Sequence, residues 1–199
     1  MKALTLATLI AGLMTGPTIA AEDVTECDRQ ASHPSDPEKI LPGLNDDEMN
    51  FAAAQVACEA AVQKDPNNKR LRYQLGRAYF YDKKFAQGLP HVKWAADQGY
   101  QQAQFVYGYI VDSGFAGVTK EPCLVEDYWV KSARQGRMAA RISYPHHVVR
   151  GLFKGCTQQA NNDEMQGFLD AAVKQADGYY EKLMVSMLQE EFAAFKVRK

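Results

Sequence analysis

The sequence predicts an all-α fold built from repeated helix pairs. Three observations carry that reading. Apolar residues recur at helical spacing along most of the chain, and no stretch alternates with period two for long enough to require a strand. Glycines fall at regular helix ends, at Gly99, Gly136 and Gly151. The chain also repeats itself. Ala95-Ala96-Asp97-Gln98-Gly99 returns as Ser132-Ala133-Arg134-Gln135-Gly136, offset by 37 residues, and Ala103 maps onto Ala140 at the same offset.

The elements follow in order. Residues 1–20 read as a secretory leader: Lys2, an apolar run from Leu4 to Met14, a break at Gly16-Pro17, and small residues ending at Ala20. The apolar run is too short to span a bilayer, so no stable membrane insertion is expected after cleavage. Residues 21–44 hold Pro34, Pro37 and Pro42 with few apolar residues and read as an extended arm. Asn45 with Glu48 resembles a capping box and opens a helix over 46–64. Asp65-Pro66 stops it. Further helices are expected over 69–81, 84–98, 101–113, 122–135, 138–152, 162–176 and 179–196. Leu183, Met184, Met187, Leu188 and Phe192 keep helical spacing along the last.

A second repeat match refines the unit. Tyr73-Gln74-Leu75-Gly76 corresponds to Phe105-Val106-Tyr107-Gly108 at an offset of 32. The five-residue discrepancy falls in the turn 113–122, so each unit is a helix, a variable turn and a second helix. Gly76 and Gly108 lie inside first helices, where glycine costs roughly 1 kcal/mol relative to alanine. Close approach of the partner helix is the expected compensation.

Composition bounds the function. Of 199 residues, 46% are hydrophobic and 24% charged, as in an ordinary folded domain. The 23 Lys+Arg against 24 Asp+Glu give no basic excess, which argues against a nucleic-acid partner. The four cysteines, Cys27, Cys58, Cys123 and Cys156, lie beyond the leader, and in an exported chain an even count reads as two disulfides. Three connectivities exist. Cys27–Cys58 with Cys123–Cys156 is favoured, because Cys123 opens one helix and Cys156 follows the end of the next, placing both at one end of an antiparallel pair. No Cys-x-x-Cys spacing supports zinc, haem or thioredoxin-type chemistry.

Catalytic signatures are lacking as well. No Gly-x-Ser-x-Gly, His-Glu-x-x-His or phosphate-binding glycine loop occurs, and no cofactor is expected. Asp46-Asp47-Glu48 sit where a helix dipole favours acids, as Lys196, Arg198 and Lys199 sit where it favours bases. Pro145-His146-His147 is a local oddity, but adjacent histidines on a helix point about 100° apart and do not jointly grip one ion. No metal site is expected. Trp94 and Trp129, one repeat apart, read as core.

The repeated segments are similar to tetratricopeptide-type repeats, in particular the Sel1-like subfamily. One runs from Tyr107-Gly108 through Gly114, Gly117-Val118 and Tyr128-Trp129 to Ala133–Gly136. The other runs from Leu75-Gly76-Arg77-Ala78-Tyr79 to Ala95–Gly99. Ala54, Ala61 and Pro66 fit a second helix of such a unit. The resemblance covers residues 50–150 and implies an α-solenoid over 45–156, with residues 157–199 capping the stack. The first unit lacks its first helix, and Pro145 stands where the family has a small residue.

First helices of a solenoid line a concave surface. The resemblance places there Arg70, Tyr73, Arg77 and Tyr81, then Gln102, Phe105, Tyr109 and Asp112, then Ala139, Ile142, His146 and Arg150. Tyrosine and arginine carry much of the energy in protein interfaces, and arginine chelates carboxylates. The expectation is therefore a periplasmic (alternatively secreted) protein-interaction or scaffold module whose groove takes a protein or peptide, acidic or carboxylate-ended. The rival reading is a small cell-envelope enzyme or accessory subunit acting on peptide or cell-wall material.

Overall fold

A computed structural model describes residues 24–198. The leader expected over 1–20 lies outside the described residues. Those described form an all-helical chain without strands. A short helix α1 (Glu26–Ala31) precedes α2 (Phe51–Lys64), α3 (Lys69–Tyr81), α4 (Phe85–Asp97), α5 (Gln101–Ser113), α6 (Pro122–Gln135), α7 (Met138–Val149), α8 (Asn162–Gln175) and α9 (Tyr179–Arg198).

Local chemistry sets most of the boundaries. The side chains of Asn50, Asn68 and Asn161 accept hydrogen bonds from the backbone N–H groups of Ala53, Leu71 and Glu164, capping α2, α3 and α8. Pro122 opens α6 at a position that needs no N–H donor. Gly114 and Gly136 end α5 and α6 in the left-handed conformation. One expected boundary shifts. The Asn45–Glu48 capping interaction forms, with Asn45 N–H donating to the Glu48 carboxylate at 2.7 Å. It starts only a 3-10 turn (Asp46–Glu48), and the chain re-enters helix after the second cap at Asn50. Two overlapping caps compete there, and the longer helix takes the nearer one.

The arm is extended only in part. Thr25 and Asp28 form a reciprocal capping box that nucleates α1. Ser32 and the prolines that follow limit it to six residues. This helix packs on α2 and α3, where the first unit otherwise lacks its first helix.

Packing proceeds pairwise up the stack. Each helix touches its sequence neighbours, and α9 rests on both α7 and α8. Two buried clusters result. A small one joins Cys27, Cys58, Leu71 and Leu75 at the N-terminal end. The large one runs from Tyr73 through Trp129 and Tyr144 to Phe192. Bonds within the α5–α6 pair fix its stagger: Ser132 Oγ donates to the Gln101 carbonyl at 2.7 Å, and Trp129 Nε1 donates to the Phe105 carbonyl at 3.0 Å. Trp129 is core, as expected, whereas Trp94 is half-buried beneath the Arg72 guanidinium.

The helix-interior glycines are contact points of two kinds. A Cβ on Gly76 would meet the α4 backbone at Val92 and Gly88. A Cβ on Gly108 would strike the Trp129 indole instead, a side chain rather than a backbone. Gly88 makes the tightest backbone contact of the α3–α4 crossing, with the Gly76 carbonyl 2.7 Å from an added Cβ. Gly88→Ala is expected to lower stability by about 2 kcal/mol, because backbone must separate from backbone. Gly167→Ala on α8, where an added Cβ meets nothing within 4 Å, should raise it by about 0.5–1 kcal/mol through helix propensity alone. Urea unfolding of the two variants checks the contrast.

Candidate interaction groove

The first helices of the units are α3, α5 and α7, and α9 stands next in that series. Their inner faces carry the residues that the repeat pattern points to, but the structure divides them in two. The N-terminal half is filled by the chain's own arm. The C-terminal half is open.

In the filled half the arm lies over α3 and the starts of α5 and α7. Arg77, only 4% exposed, donates to the carbonyls of Ala31, Ser32 and Leu44 at 3.1, 2.8 and 2.5 Å. Arg70 is ion-paired with the fully buried Asp28. Gln74 donates to Asp28 Oδ1 and to Ser32 Oγ. Farther along, Tyr100 donates its hydroxyl proton to Asp36 at 2.6 Å, and Gln102 donates to Tyr73 while accepting from Arg137. The arm closes on itself as Leu44 N–H donates to the Ser32 carbonyl. Gly43 sits so near His33 and Pro34 that a Cβ would overlap their backbone.

The expectation of an open aromatic and basic groove is therefore corrected here. Arg70, Tyr73, Arg77 and Gln102 are buried; Arg70 and Arg77 bind the arm, and Gln102 joins Tyr73 to Arg137. Tyr81 remains at the edge, beneath the Arg77 guanidinium. Phe105 is sandwiched between Arg137 and Trp129. The arginines do hold a carboxylate and carbonyls, but these belong to the same chain. Gln74, Tyr100 and Arg137, which complete the network, escaped sequence reasoning. Their partners lie 42 to 64 residues away or on another unit, and no local pattern marks them.

Burial perturbs the arm's titratable groups. Burial, with Arg77 and Arg137 adding repulsion, pushes the His33 imidazole down to about 4. Burial raises Asp36, against the stabilising Tyr100 hydrogen bond. For His33 the folded value lies below the unfolded one, so the unfolded chain binds the extra proton first. Its contribution is fully present above pH 6.5 and is lost as pH falls toward 4. With partial solvent screening this amounts to on the order of 2 kcal/mol. His33→Asn should flatten the stability profile over that window in thermal melts.

The open half is different in kind. Ile142, Ser143 and His146 of α7 face Tyr180, Leu183, Met184, Met187, Leu188 and Glu191 of α9 across a groove of about 550 Å³. Its α9 wall is exposed and apolar: Tyr180 is 81% and Met187 61% exposed. Val149, Arg150, Glu191, Phe195 and Arg198 line an adjoining hollow, which gives the groove a basic end. Tyr109 stands exposed on α5. Thus Tyr109, His146 and Arg150 are accessible, while Ala139 is half-buried. The α9 wall lay in the tail that the repeat pattern does not cover, although the Leu183–Phe192 spacing did mark its helix.

Two histidine–carboxylate pairs lie near this face. His146 Nδ1 is 3.8 Å from Glu191 at the open groove, beyond hydrogen-bond reach. His147 Nε2 is 3.2 Å from Asp112, with Nδ1 on the Ser143 carbonyl and the ring edge-on to Trp129. Burial lowers His147, with Asp112 opposing. Among the described residues no three His, Cys, Asp or Glu side chains cluster so as to hold a metal ion. No described helix is long and apolar enough to cross a membrane.

Both disulfides join the cysteines as the helical geometry favoured: Cys27–Cys58 and Cys123–Cys156. Among solved structures, the chain is similar to a protective antigen present in uropathogenic Escherichia coli strains that displays an SLR (Sel1-like repeat) fold. The TM-score is 0.50 at 18% identity, over 84% of this chain. The fold is a Sel1-like repeat solenoid. The match spans 39% of the antigen's length, so the likeness concerns architecture alone. No protein-family model and no curated protein matches the sequence.

Proposed function

We propose that this Sel1-like solenoid is an exported protein-interaction module, working in a bacterial periplasm, whose binding surface is the open α7–α9 groove. One observation carries the reading: a contiguous, exposed apolar wall of Tyr180, Leu183, Met184 and Met187 faces Ile142 and His146 across a groove. Apolar patches of this kind mark sites that partners cover. Two disulfides and the leader pattern support an oxidising compartment, with secretion as the alternative. Arg150 and Arg198 at the groove's end favour a partner that places a carboxylate there. The envelope-enzyme alternative needs a histidine and carboxylate within reach in a deep pocket: His146 and Glu191, in the groove, stand 3.8 Å apart and half-exposed, while His147 and Asp112, 3.2 Å apart, are not among the residues lining it.

A photo-crosslinking residue at Ile142, expressed in the native envelope, tests the reading. A protein or peptide adduct at a single mass is expected, and it should vanish when Tyr180→Lys is added. Absence of any adduct would remove the groove as a binding surface.

A further inference from the structure

We infer that the partner seated in this groove is a second copy of the chain, paired through antiparallel α9 helices about a two-fold axis near Met187; this rests on the groove being a binding surface. The stripe on α9 is self-complementary in shape. Tyr180, Met184, Met187, Glu191 and Ala194 recur at alternating spacings of four and three, the pattern of a helix seam. The first three are exposed and apolar, and among the described residues nothing covers them. By contrast Val185, Leu188 and Phe192, about 100° round the helix, are buried against the stack. A solenoid end normally presents a polar outer face. This one presents tyrosine and methionine.

The charges select the orientation. Around the start of α9 lie Asp177, Glu181 and Lys182, an acidic excess. Around its end, Arg150 and Arg198 share a hollow with Glu191, and Lys154 lines the next one, a basic excess. An antiparallel pairing sets the acidic start of one α9 against the basic end of the other, twice by symmetry. A parallel pairing sets like against like. Only the two-fold arrangement satisfies both the stripe and the charges, and such an isologous contact closes without propagating. Tyr180 of each copy then drops beside Ala194 of the other, where the small side chain leaves room.

Sedimentation equilibrium of the purified mature protein tests this. A mass of twice the protomer is expected at micromolar concentration. Met187→Glu buries like charges at the axis and should weaken association on the order of 100-fold; far-UV circular dichroism should stay unchanged, since the side chain is solvent-facing in the single copy. Arg198→Glu should also weaken association, and Asp177→Arg in the same chain, which an axis at Met187 sets opposite the end of the other α9, should restore it. A monomer up to the highest concentration reached, or a dimer indifferent to Met187→Glu and to the charge exchange, overturns the inference. The crosslinking experiment keeps the two ideas apart. An Ile142 adduct with another protein, from a chain that is monomeric, leaves the module standing and removes the dimer. No adduct of any kind removes both.

Discussion

Replacing Arg77 by methionine should cost about 3–5 kcal/mol of folding stability, the range for removing one member of a buried charged network. The size follows from what Arg77 holds. Its guanidinium donates to three main-chain carbonyls, those of Ala31, Ser32 and Leu44, from a site almost closed to water. Methionine fills much of the volume and donates nothing. Three buried acceptors then lose their partner, each at about 1–3 kcal/mol if water cannot reach it. The arm can relieve this only by lifting away, which uncovers Tyr73 and leaves Arg70 and Asp28 exposed to solvent. Amide exchange should therefore speed up across residues 25–44 before any change reaches α6 or α7. A loss below about 1 kcal/mol with unchanged arm exchange would show that Arg77 is not the latch.

The second large effect concerns the two disulfides, which make an internally controlled pair. Their sequence separations are 31 and 33 residues, so the chain-entropy contribution is nearly equal, about 3–4 kcal/mol each. Their surroundings are not equal. Cys27 and Cys58 are fully buried between α1 and α2, whereas Cys123 is exposed at the start of α6. Converting Cys27 and Cys58 together to alanine should cost more than converting Cys123 and Cys156, because the first pair also fastens the arm over α3. Guanidinium unfolding measures both. Mild reductant on the folded protein should open Cys123–Cys156 first, seen by mass after thiol alkylation. Equal losses and simultaneous reduction would mean that the arm is held without its covalent tie.

Much of the fold was legible because its determinants are local. The capping interaction of Asn45 with Glu48 and the stops at Gly99 and Gly136 act within a few residues of the structure they set. Where the local signals doubled, as at Asn45 and Asn50, the boundary moved by a turn. Pro90, inside α4, escaped notice because its neighbours keep helical spacing on both sides. The site was less legible for a physical reason. Main-chain carbonyls satisfy Arg77, and a carbonyl has no letter in the sequence. Asp28 and Asp36 carry no local mark of burial; tertiary contact sets them against Arg70 and Tyr100. The repeat pattern names inward-facing positions but does not say what already occupies them.

The order of the cysteines has a bearing on how the chain matures. Each bridge joins one cysteine to the next along the sequence. For a polypeptide threaded amino end first into an oxidising space, Cys27 and Cys58 emerge and meet before Cys123 has arrived, and Cys123 then waits only for Cys156. Linking each thiol to its nearest successor gives the native arrangement directly, so a catalyst that merely oxidises suffices and one that shuffles mispaired bonds has nothing to correct. The arm, although first to emerge, is held close by that early link until α3 and α5 have been delivered to receive it.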